Sequence, residues 1–225
     1  MKRQLRDNSL SLVFLVIFLA ALVGQSVAGH RVFNEEALTH GAETISYGRY
    51  LVSSHFGQAV LENWQSEYLQ FALFILATIW LVQRGSNESK RIADIGLESE
   101  EKQKLGRYAG RGSPAWARPQ SGLRRWLYSN SLLLVMFFIF LGSWVAQSVT
   151  GWTAYNQDQQ DHMEPEVSYA GYLSRPDLWE ATLQNWQSEF LAVGSMAVFT
   201  IYLRQRGSPE SKPVGARHDE TAASG

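Results

Sequence analysis

Two apolar stretches in this sequence are long enough to cross a membrane as single helices. They run over residues 10–29 and 132–151, with few polar positions in either one. At a rise of about 1.5 Å per residue, about 20 residues match a hydrocarbon core about 30 Å thick. The pattern therefore predicts two transmembrane helices.

Two further apolar stretches are shorter, and they become crossings only if their helices extend into polar flanks. They cover residues 68–82 and 190–203. The surrounding segments 56–83 and 178–205 contain no Pro and few Gly, so a helix can continue through each of them. Pro176 lies just before the second of these segments, at a position typical of the first turn of a helix. We therefore predict four crossings.

The chain repeats itself at a constant spacing. Residues 8–90 align without a gap on residues 130–212, and about 37 of the 83 aligned pairs are identical. Because each repeat contains one long and one short apolar stretch, we infer the duplication of a two-helix membrane hairpin. The predicted fold is an all-α integral membrane protein whose four transmembrane helices form two tandem parallel two-helix repeats.

We divide the chain accordingly into four parts. Charge, Gly, Ser and Pro dominate between the repeats, which is typical of a flexible cytoplasmic linker, and the last residues are typical of a disordered tail. A solvated spacer is the interpretation we prefer for both, and a regulatory role is the alternative. The parts are the first membrane hairpin repeat, the linker, the second membrane hairpin repeat and the tail, at 1–90, 91–129, 130–212 and 213–225.

The start of the chain has a second interpretation, because basic residues precede an apolar run as in a secretory signal peptide. Ser26-Val27-Ala28 resembles a signal-peptidase site. The equivalent stretch at 132–151 lies in mid-chain and cannot be a signal peptide. We therefore expect the first helix to be retained.

The basic residues are distributed unevenly and predict the orientation. Of the 20 Lys and Arg, 17 lie before the first stretch, between the stretches at 68–82 and 132–151, or after the last stretch. Only Arg31, Arg49 and Arg175 lie in the other two loops. The positive-inside rule then places both termini and the linker in the cytoplasm. We expect a multi-pass protein of the cell membrane.

Composition excludes some classes of protein. A net charge of −1 gives no support to a nucleic-acid partner, and the absence of Cys excludes disulfides and thiolate metal sites. No His lies inside an apolar stretch, which argues against haem bound between the helices. We expect membrane lipid as a partner, no nucleic acid and no cofactor.

The densest identity between the repeats is a polar motif beside the short stretches. Asn63-Trp64-Gln65-Ser66-Glu67 recurs as Asn185-Trp186-Gln187-Ser188-Glu189. The two Glu should lie about one turn inside the outer boundary, where carboxylates are usually paired or face a wet cavity. One interpretation is an ion, proton or solute site, and the other, which we favour, is hydrogen bonding between helices. The candidate polar layer comprises Glu67, Glu189, Asn63, Asn185, Gln65, Gln187, Gln25 and Gln147.

A second repeated motif, Q-R-G-S-x-E-S-K, follows the short stretches at 83–90 and 205–212. Gly suits a helix C-terminus, and Arg at a helix end can extend to lipid phosphates. We interpret the motif as a helix cap. The predicted interfacial anchors are Trp64, Trp186, Arg84 and Arg206.

His40 and His162 occupy equivalent positions in the two repeats. The second one lies among acidic residues, a combination that can hold a divalent metal. Acidic loops produce the same combination without a metal, so we predict no metal site. Ser-Tyr-x-x-Tyr-Leu, at 46–51 and 168–173, places two Tyr on one helical face and predicts an interfacial helix in each external loop.

The paired N-W-Q-S-E-[YF]-L and Q-R-G-S-x-E-S-K motifs resemble those of an uncharacterised family of small bacterial membrane proteins, a domain of unknown function. The resemblance covers nearly the whole chain except the linker and the tail. It implies a protein of the bacterial inner membrane and contributes no catalytic residue.

These observations predict a multi-pass membrane protein with a structural or partner-binding role, and not an enzyme. No nucleophile–base pair and no metal-ligand set occurs within the predicted helices, so we name no catalytic residue. The alternative is a small channel or transporter for an ion, a proton or a solute that uses the layer containing Glu67 and Glu189. Beyond lipid, the expected partner is a second copy of the chain or another membrane protein.

Overall fold

The computed structural model describes residues 2–223, and every regular element in that range is helical. The prediction of an all-α fold is confirmed. Three short 3₁₀ helices lie between residues 92 and 117. The α-helices are α1 Lys2–Asp7, α2 Ser9–Thr39, α3 Tyr47–Leu51, α4 Ser54–Trp80, α5 Leu123–Ser129, α6 Ser131–Asp161, α7 Tyr169–Tyr172 and α8 Pro176–Tyr202.

Two helices, α2 and α6, are long and apolar enough to cross a membrane. Each has 31 residues and continues beyond the apolar stretch into polar sequence. Only 6% of the most apolar part of α2 is buried in the chain. For α6, 22% of the corresponding part is buried. The core helix of a soluble protein is mostly buried, and α2 and α6 differ from such a helix in this respect.

The helices α4 and α8 each have 27 residues. They extend into the polar flanks of the short apolar stretches and reach roughly 40 Å. α4 begins two residues before the segment 56–83, α8 begins at the predicted Pro176, and each helix ends three residues before the end of its segment. Asp177 lies in the first turn of α8, where a negative charge is favourable. Whether α4 and α8 cross the membrane remains a prediction.

The long helices have equivalent bounds in the two repeats. The limits of α2 and α6 differ by 122 positions at both ends, and so do those of α4 and α8. Helices of equal length therefore accompany the repeated sequence.

The chain forms two compact units, and each unit contains parts of both repeats. The first unit comprises Met1–Leu61 and Ala146–Arg175. The second unit comprises Glu62–Val145 and Pro176–Gly225. The division into hairpins, linker and tail stays a prediction. The predicted linker contains α5 and the 3₁₀ helices, and Gly96 in it donates its backbone N–H to the Ile79 carbonyl over 2.8 Å.

Candidate functional site

A polar contact joins α4 and α8 within the second unit. Asn185 Nδ2 donates to Glu62 Oε1 over 2.8 Å, and Trp186 Nε1 donates to Gln65 Oε1 over 2.8 Å. Gln65 is wholly buried. Helices in lipid use such hydrogen bonds to bind each other. We call these four residues the polar contact.

Two buried polar atoms of α4 and α8 have no hydrogen-bond partner among the described residues. They are Gln65 Nε2 and Thr182 Oγ1, and both side chains are 0% exposed. A buried polar atom without a partner costs about 1–3 kcal/mol. The region thus combines hydrogen-bonded groups with unpaired ones, and the unpaired atoms offset part of the stability that the hydrogen bonds contribute.

The structure divides the predicted polar layer between the two units. Gln25 and Gln147 belong to the first unit. Gln25 Nε2 donates to the Ala59 carbonyl over 3.4 Å, and Gln147 is 1% exposed. The other six predicted residues, Asn63, Gln65, Glu67, Asn185, Gln187 and Glu189, belong to the second unit.

The six residues of the second unit have different environments. Gln65 is buried and Asn185 is half-buried, and both take part in the polar contact. Glu189 is half-buried, and its carboxylate is close enough to that of Glu67 for the two to repel each other. The exposed members are Asn63, Glu67 and Gln187.

Glu62 belongs to the polar contact but was not among the predicted residues of the layer. It precedes Gln65 by three residues, so the two side chains share one face of α4. This spacing was the available signal. It was obscured because Gln184 occupies the equivalent position in the second repeat.

The four predicted anchors also differ in their contacts. Trp64 is 39% exposed, whereas Trp186 is half-buried and donates to Gln65. Arg84 and Arg206 are exposed. Arg84 Nη2 lies 3.6 Å from Asp219 Oδ2, and an exposed ion pair of this kind contributes little to stability.

In the first unit, an Asn of each long helix pairs with the backbone of the loop that follows. Asn34 accepts from the N–H of Ile45 over 2.9 Å and donates to its carbonyl over 3.1 Å. Asn156 makes the same pair with Val167 over 2.9 and 3.0 Å. Each Asn side-chain amide thus pairs with the N–H and the carbonyl of one loop residue, as the backbone of a neighbouring β-strand would. This pairing holds the loop to the helix. Sequence reasoning missed both Asn residues, whose identity between the repeats was the only signal.

Two Tyr of each short helix fix α3 to α2 and α7 to α6. The hydroxyls of Ser26 and Tyr47 are 2.7 Å apart, and those of Ser148 and Tyr169 are also 2.7 Å apart. Tyr50 is 5% exposed, and burial raises the pKa of its phenol. The predicted short helices are therefore present, and their Tyr residues face the long helices.

We expect Gly29→Ala to destabilise the protein, because a Cβ at this position would lie 2.2 Å from Tyr50 Oη. Overpacking of this kind costs about 1–3 kcal/mol. The measurement is the midpoint of thermal unfolding in detergent. Gly24→Ala is the matched control in α2, since its Cβ would have no described atom within 4 Å. Equal midpoints for the two variants would contradict this packing.

His40 and His162 face each other in the first unit. Their ring centroids are 5.6 Å apart, and each Nδ1 donates to the carbonyl four residues earlier. His55 Nε2 lies 4.0 Å from Asp158 Oδ1. Within residues 2–223, no group of three His, Cys, Asp or Glu is arranged to hold a metal ion. The geometry supports a contact between the two loops.

The Q-R-G-S-x-E-S-K motif forms the same turn after α4 and after α8. Ser89 Oγ accepts from the backbone N–H of Gln83 over 2.8 Å, and Ser211 Oγ accepts from that of Gln205 over 2.9 Å. Gly85 has a φ of 86°, in the left-handed region that favours Gly. We call residues 83–90 and 205–223 the motif cap.

Lys212, the last residue of the second motif, organises the motif cap. It is 1% exposed, and its Nζ donates to the carbonyls of Gly85, Arg217, His218 and Glu220 over 2.7, 3.0, 3.0 and 3.1 Å. Burial lowers the pKa of its ammonium group. Three of these carbonyls belong to the segment that the sequence predicts to be a disordered tail.

The two turns of the motif cap also contact each other. Asn87 Nδ2 donates to the Pro209 carbonyl over 3.3 Å. Glu88 faces Glu210, and burial together with the nearby carboxylate raises the pKa of Glu88. The pair is therefore most favourable when one of its two carboxyls carries a proton.

The raised pKa of Glu88 predicts a pH dependence of stability. The folded state binds this proton more tightly than the unfolded state does, so the bound proton adds to the free energy of unfolding. This addition is complete when the pH is below the ordinary carboxyl pKa, and it is lost as the pH rises through the raised pKa of Glu88. Glu88→Gln should raise the unfolding midpoint at neutral pH and flatten its pH dependence.

The measurement for Glu88→Gln is the unfolding midpoint in detergent between about pH 4 and pH 8. Glu101→Gln is the control, because Glu101 is exposed in the linker. A constant difference between Glu88→Gln and the parent protein over this range would show that Glu88 does not titrate as described.

A family model described as "Domain of unknown function (DUF6766)" matches residues 1–223. The predicted resemblance to a domain of unknown function is confirmed. No curated protein and no solved structure matches the chain significantly.

Proposed function

The chain belongs to the DUF6766 family, and we propose that it is a multi-pass membrane protein with a structural or partner-binding role and no enzymatic activity. The observation that carries this proposal is the polar contact. It uses the repeated N-W-Q-S-E motif to join two long helices by hydrogen bonds. Polar residues used in this way support helix association in lipid.

Four crossings in two tandem parallel repeats are supported by the lengths of the helices. At 27 residues each, α4 and α8 exceed the roughly 20 residues that a hydrocarbon core requires. Two crossings in each repeat give both repeats the same orientation. The distribution of the basic residues supports a bacterial inner-membrane protein with the linker and both termini on the cytoplasmic side.

Retention of the first helix is supported by its contacts. α2 continues without a break past Ser26-Val27-Ala28 and ends at Thr39. Ser26 is 3% exposed and bonds to Tyr47, so this segment is a packed part of the first unit. A signal peptide, by contrast, is removed from the mature protein.

A channel or transporter that uses Glu67 and Glu189 is the competing proposal. Its support is the repulsion between these two carboxylates, since paired carboxylates can share a proton or bind a cation. Neither residue takes part in the hydrogen bonds of the polar contact, and Glu67 is exposed. The packing role therefore has the better support.

Cysteine labelling tests the topology, because the natural sequence contains no Cys. An impermeant maleimide applied to intact cells should label Glu43→Cys and Glu164→Cys, which are exposed in the predicted external loops. Glu101→Cys, in the linker, should react only after the cells are permeabilised. Labelling of Glu101→Cys in intact cells would overturn the orientation. A mature protein lighter than the full chain would remove the first helix.

A further inference from the structure

We propose that copies of this chain associate head-to-tail, with α4 of one copy against α8 of the next, through the same polar pairs that join α4 to α8 within the chain. The inference rests on the proposed partner-binding role and names the partner as a second copy of the chain. It follows from an asymmetry within the chain. α4 and α8 carry nearly the same motif, but they contact each other through faces that are not equivalent.

The buried face of α4 has an exposed counterpart on α8. Four residues of α4 are buried, and the residues 122 positions later are chemically the same or closely similar, yet all four are exposed, with Leu191 at 64%. The buried residues are Gln65, Ser66, Leu69 and Ala72, and their exposed counterparts are Gln187, Ser188, Leu191 and Gly194. We call the first set, with Glu62, the acceptor face of α4, and the second set, with Gln184, the acceptor face of α8.

α8 contacts α4 through a different face. It uses Asn185 and Trp186, which donate to Glu62 and Gln65. Successive residues of a helix are about 100° apart, so Gln187 points about 160° away from Asn185. We call Asn185, Trp186 and Glu189 the donor face of α8, and the equivalent Asn63, Trp64 and Glu67 the donor face of α4.

The donor face of α4 is at the surface of the chain. Asn63 and Glu67 are exposed, and Trp64 is 39% exposed. Each chain therefore presents one donor face, on α4, and one acceptor face, on α8, outside its internal contact. These two surfaces are complementary to each other but not to themselves.

The chemistry of the internal contact can be repeated between two copies. Asn63 is identical to Asn185, and Trp64 is identical to Trp186. Asn63 Nδ2 can donate to Gln184 Oε1 of the second copy, because the amide oxygen of Gln184 accepts as the carboxylate of Glu62 does. Trp64 Nε1 can donate to Gln187 Oε1 of the second copy, as Trp186 does to Gln65.

Lipid is an unfavourable alternative for the acceptor face of α8. Gln184 and Gln187 are exposed on a helix that we propose to cross the membrane. An amide that faces hydrocarbon without a hydrogen-bond partner is costly. A second copy supplies the missing donors. Because the two faces differ, the contact is heterologous, and association continues until a ring closes.

Cross-linking of full-length protein in membranes tests this contact. Asn63→Cys and Gln184→Cys are made in separate chains with different tags, coexpressed, and treated with a short bifunctional maleimide. We expect a species of twice the chain mass that carries both tags. Neither variant alone should give this species, because a heterologous contact brings two different positions together.

An internal pair calibrates the cross-linking. When Glu62→Cys and Asn185→Cys are present in one chain, the bifunctional maleimide should link them. The two halves of the chain should then stay joined after trypsin cuts the basic linker. Failure of this internal pair would contradict the polar contact and the proposed function with it. Success of the internal pair with no cross-link in the mixed sample would overturn only the head-to-tail contact. Cross-linking by one variant alone, or to a different protein, would also overturn it.

A blocking variant gives an independent measurement. Ser188→Trp adds bulk to the acceptor face of α8, whereas Val198→Trp adds it to an apolar position of α8 that is 45% exposed. In a mild detergent, light scattering should show the parent and Val198→Trp as oligomers and Ser188→Trp as a monomer. An oligomer of unchanged mass for Ser188→Trp would overturn the proposal.

Discussion

Lys212→Met is expected to lower the free energy of unfolding by about 2–4 kcal/mol, the largest loss for a single substitution in the motif cap. Met keeps an apolar stem of similar length but removes the charged donor from four backbone carbonyls. Lys212 is almost completely buried, so the carbonyls of Gly85, His218 and Glu220 lose this charged donor, whereas that of Arg217 keeps the backbone N–H of Glu220. Unfolding in a mild detergent measures the loss.

Lys90→Met is the matched control, since Lys90 ends the first motif as Lys212 ends the second. Lys90 Nζ donates to the Gly96 carbonyl over 3.0 Å and lies 3.5 Å from Glu98 Oε1, and its side chain is 27% exposed. We expect a loss below about 1 kcal/mol for this variant. Similar losses for the two variants would contradict the central place of Lys212.

The contacts of Lys212 explain why the sequence predicts the turn but not the structure around it. A Gly after a helix and a repeated motif indicate a helix end. The partners of Lys212, however, are backbone carbonyls, which every residue possesses. No residue type therefore signals that the segment after Pro213 folds back around the ammonium group.

The helices themselves follow closely from the sequence, because long apolar stretches and helix-start residues are local signals. Pro176 begins α8 as predicted. The ends at Trp80 and Tyr202 come three residues early. The reason is that Ser89 and Ser211 bind the backbone of the residues that follow each helix and hold them in the turn.

The faces used by α4 and α8 could not be predicted from the repeated polar motif. Each repeat contains both a donor face and an acceptor face, and a pair of helices needs only one of each. Near-identical motifs predict near-identical surroundings, yet Gln65 is buried and Gln187 is exposed. The identity between the repeats therefore located the candidate site but not the partners of each side chain.

Asn185→Leu is expected to destabilise the protein by about 2–3 kcal/mol, because the half-buried carboxylate of Glu62 loses a donor 2.8 Å away. Glu62→Leu combined with Asn185→Leu should recover most of this loss, since removal of both partners leaves no unpaired charge in the helix contact. Unfolding midpoints of the parent, the two single variants and the double variant form the cycle that measures the coupling. A double variant less stable than Asn185→Leu would show that Glu62 has another partner.

Flux measurements, made alongside the unfolding midpoints of this mutant cycle, distinguish a role in helix packing from a role in transport. If the polar motif serves helix association, the parent in proteoliposomes should carry no proton or cation flux. Glu67→Gln together with Glu189→Gln should then leave that result unchanged and relieve the repulsion between the two carboxylates. A flux in the parent that this double variant abolishes, with an unchanged unfolding midpoint, would replace the structural role with transport. Because Asn185→Leu changes the polar contact and leaves Glu67 and Glu189 in place, its effect on such a flux would show whether that contact positions the two carboxylates.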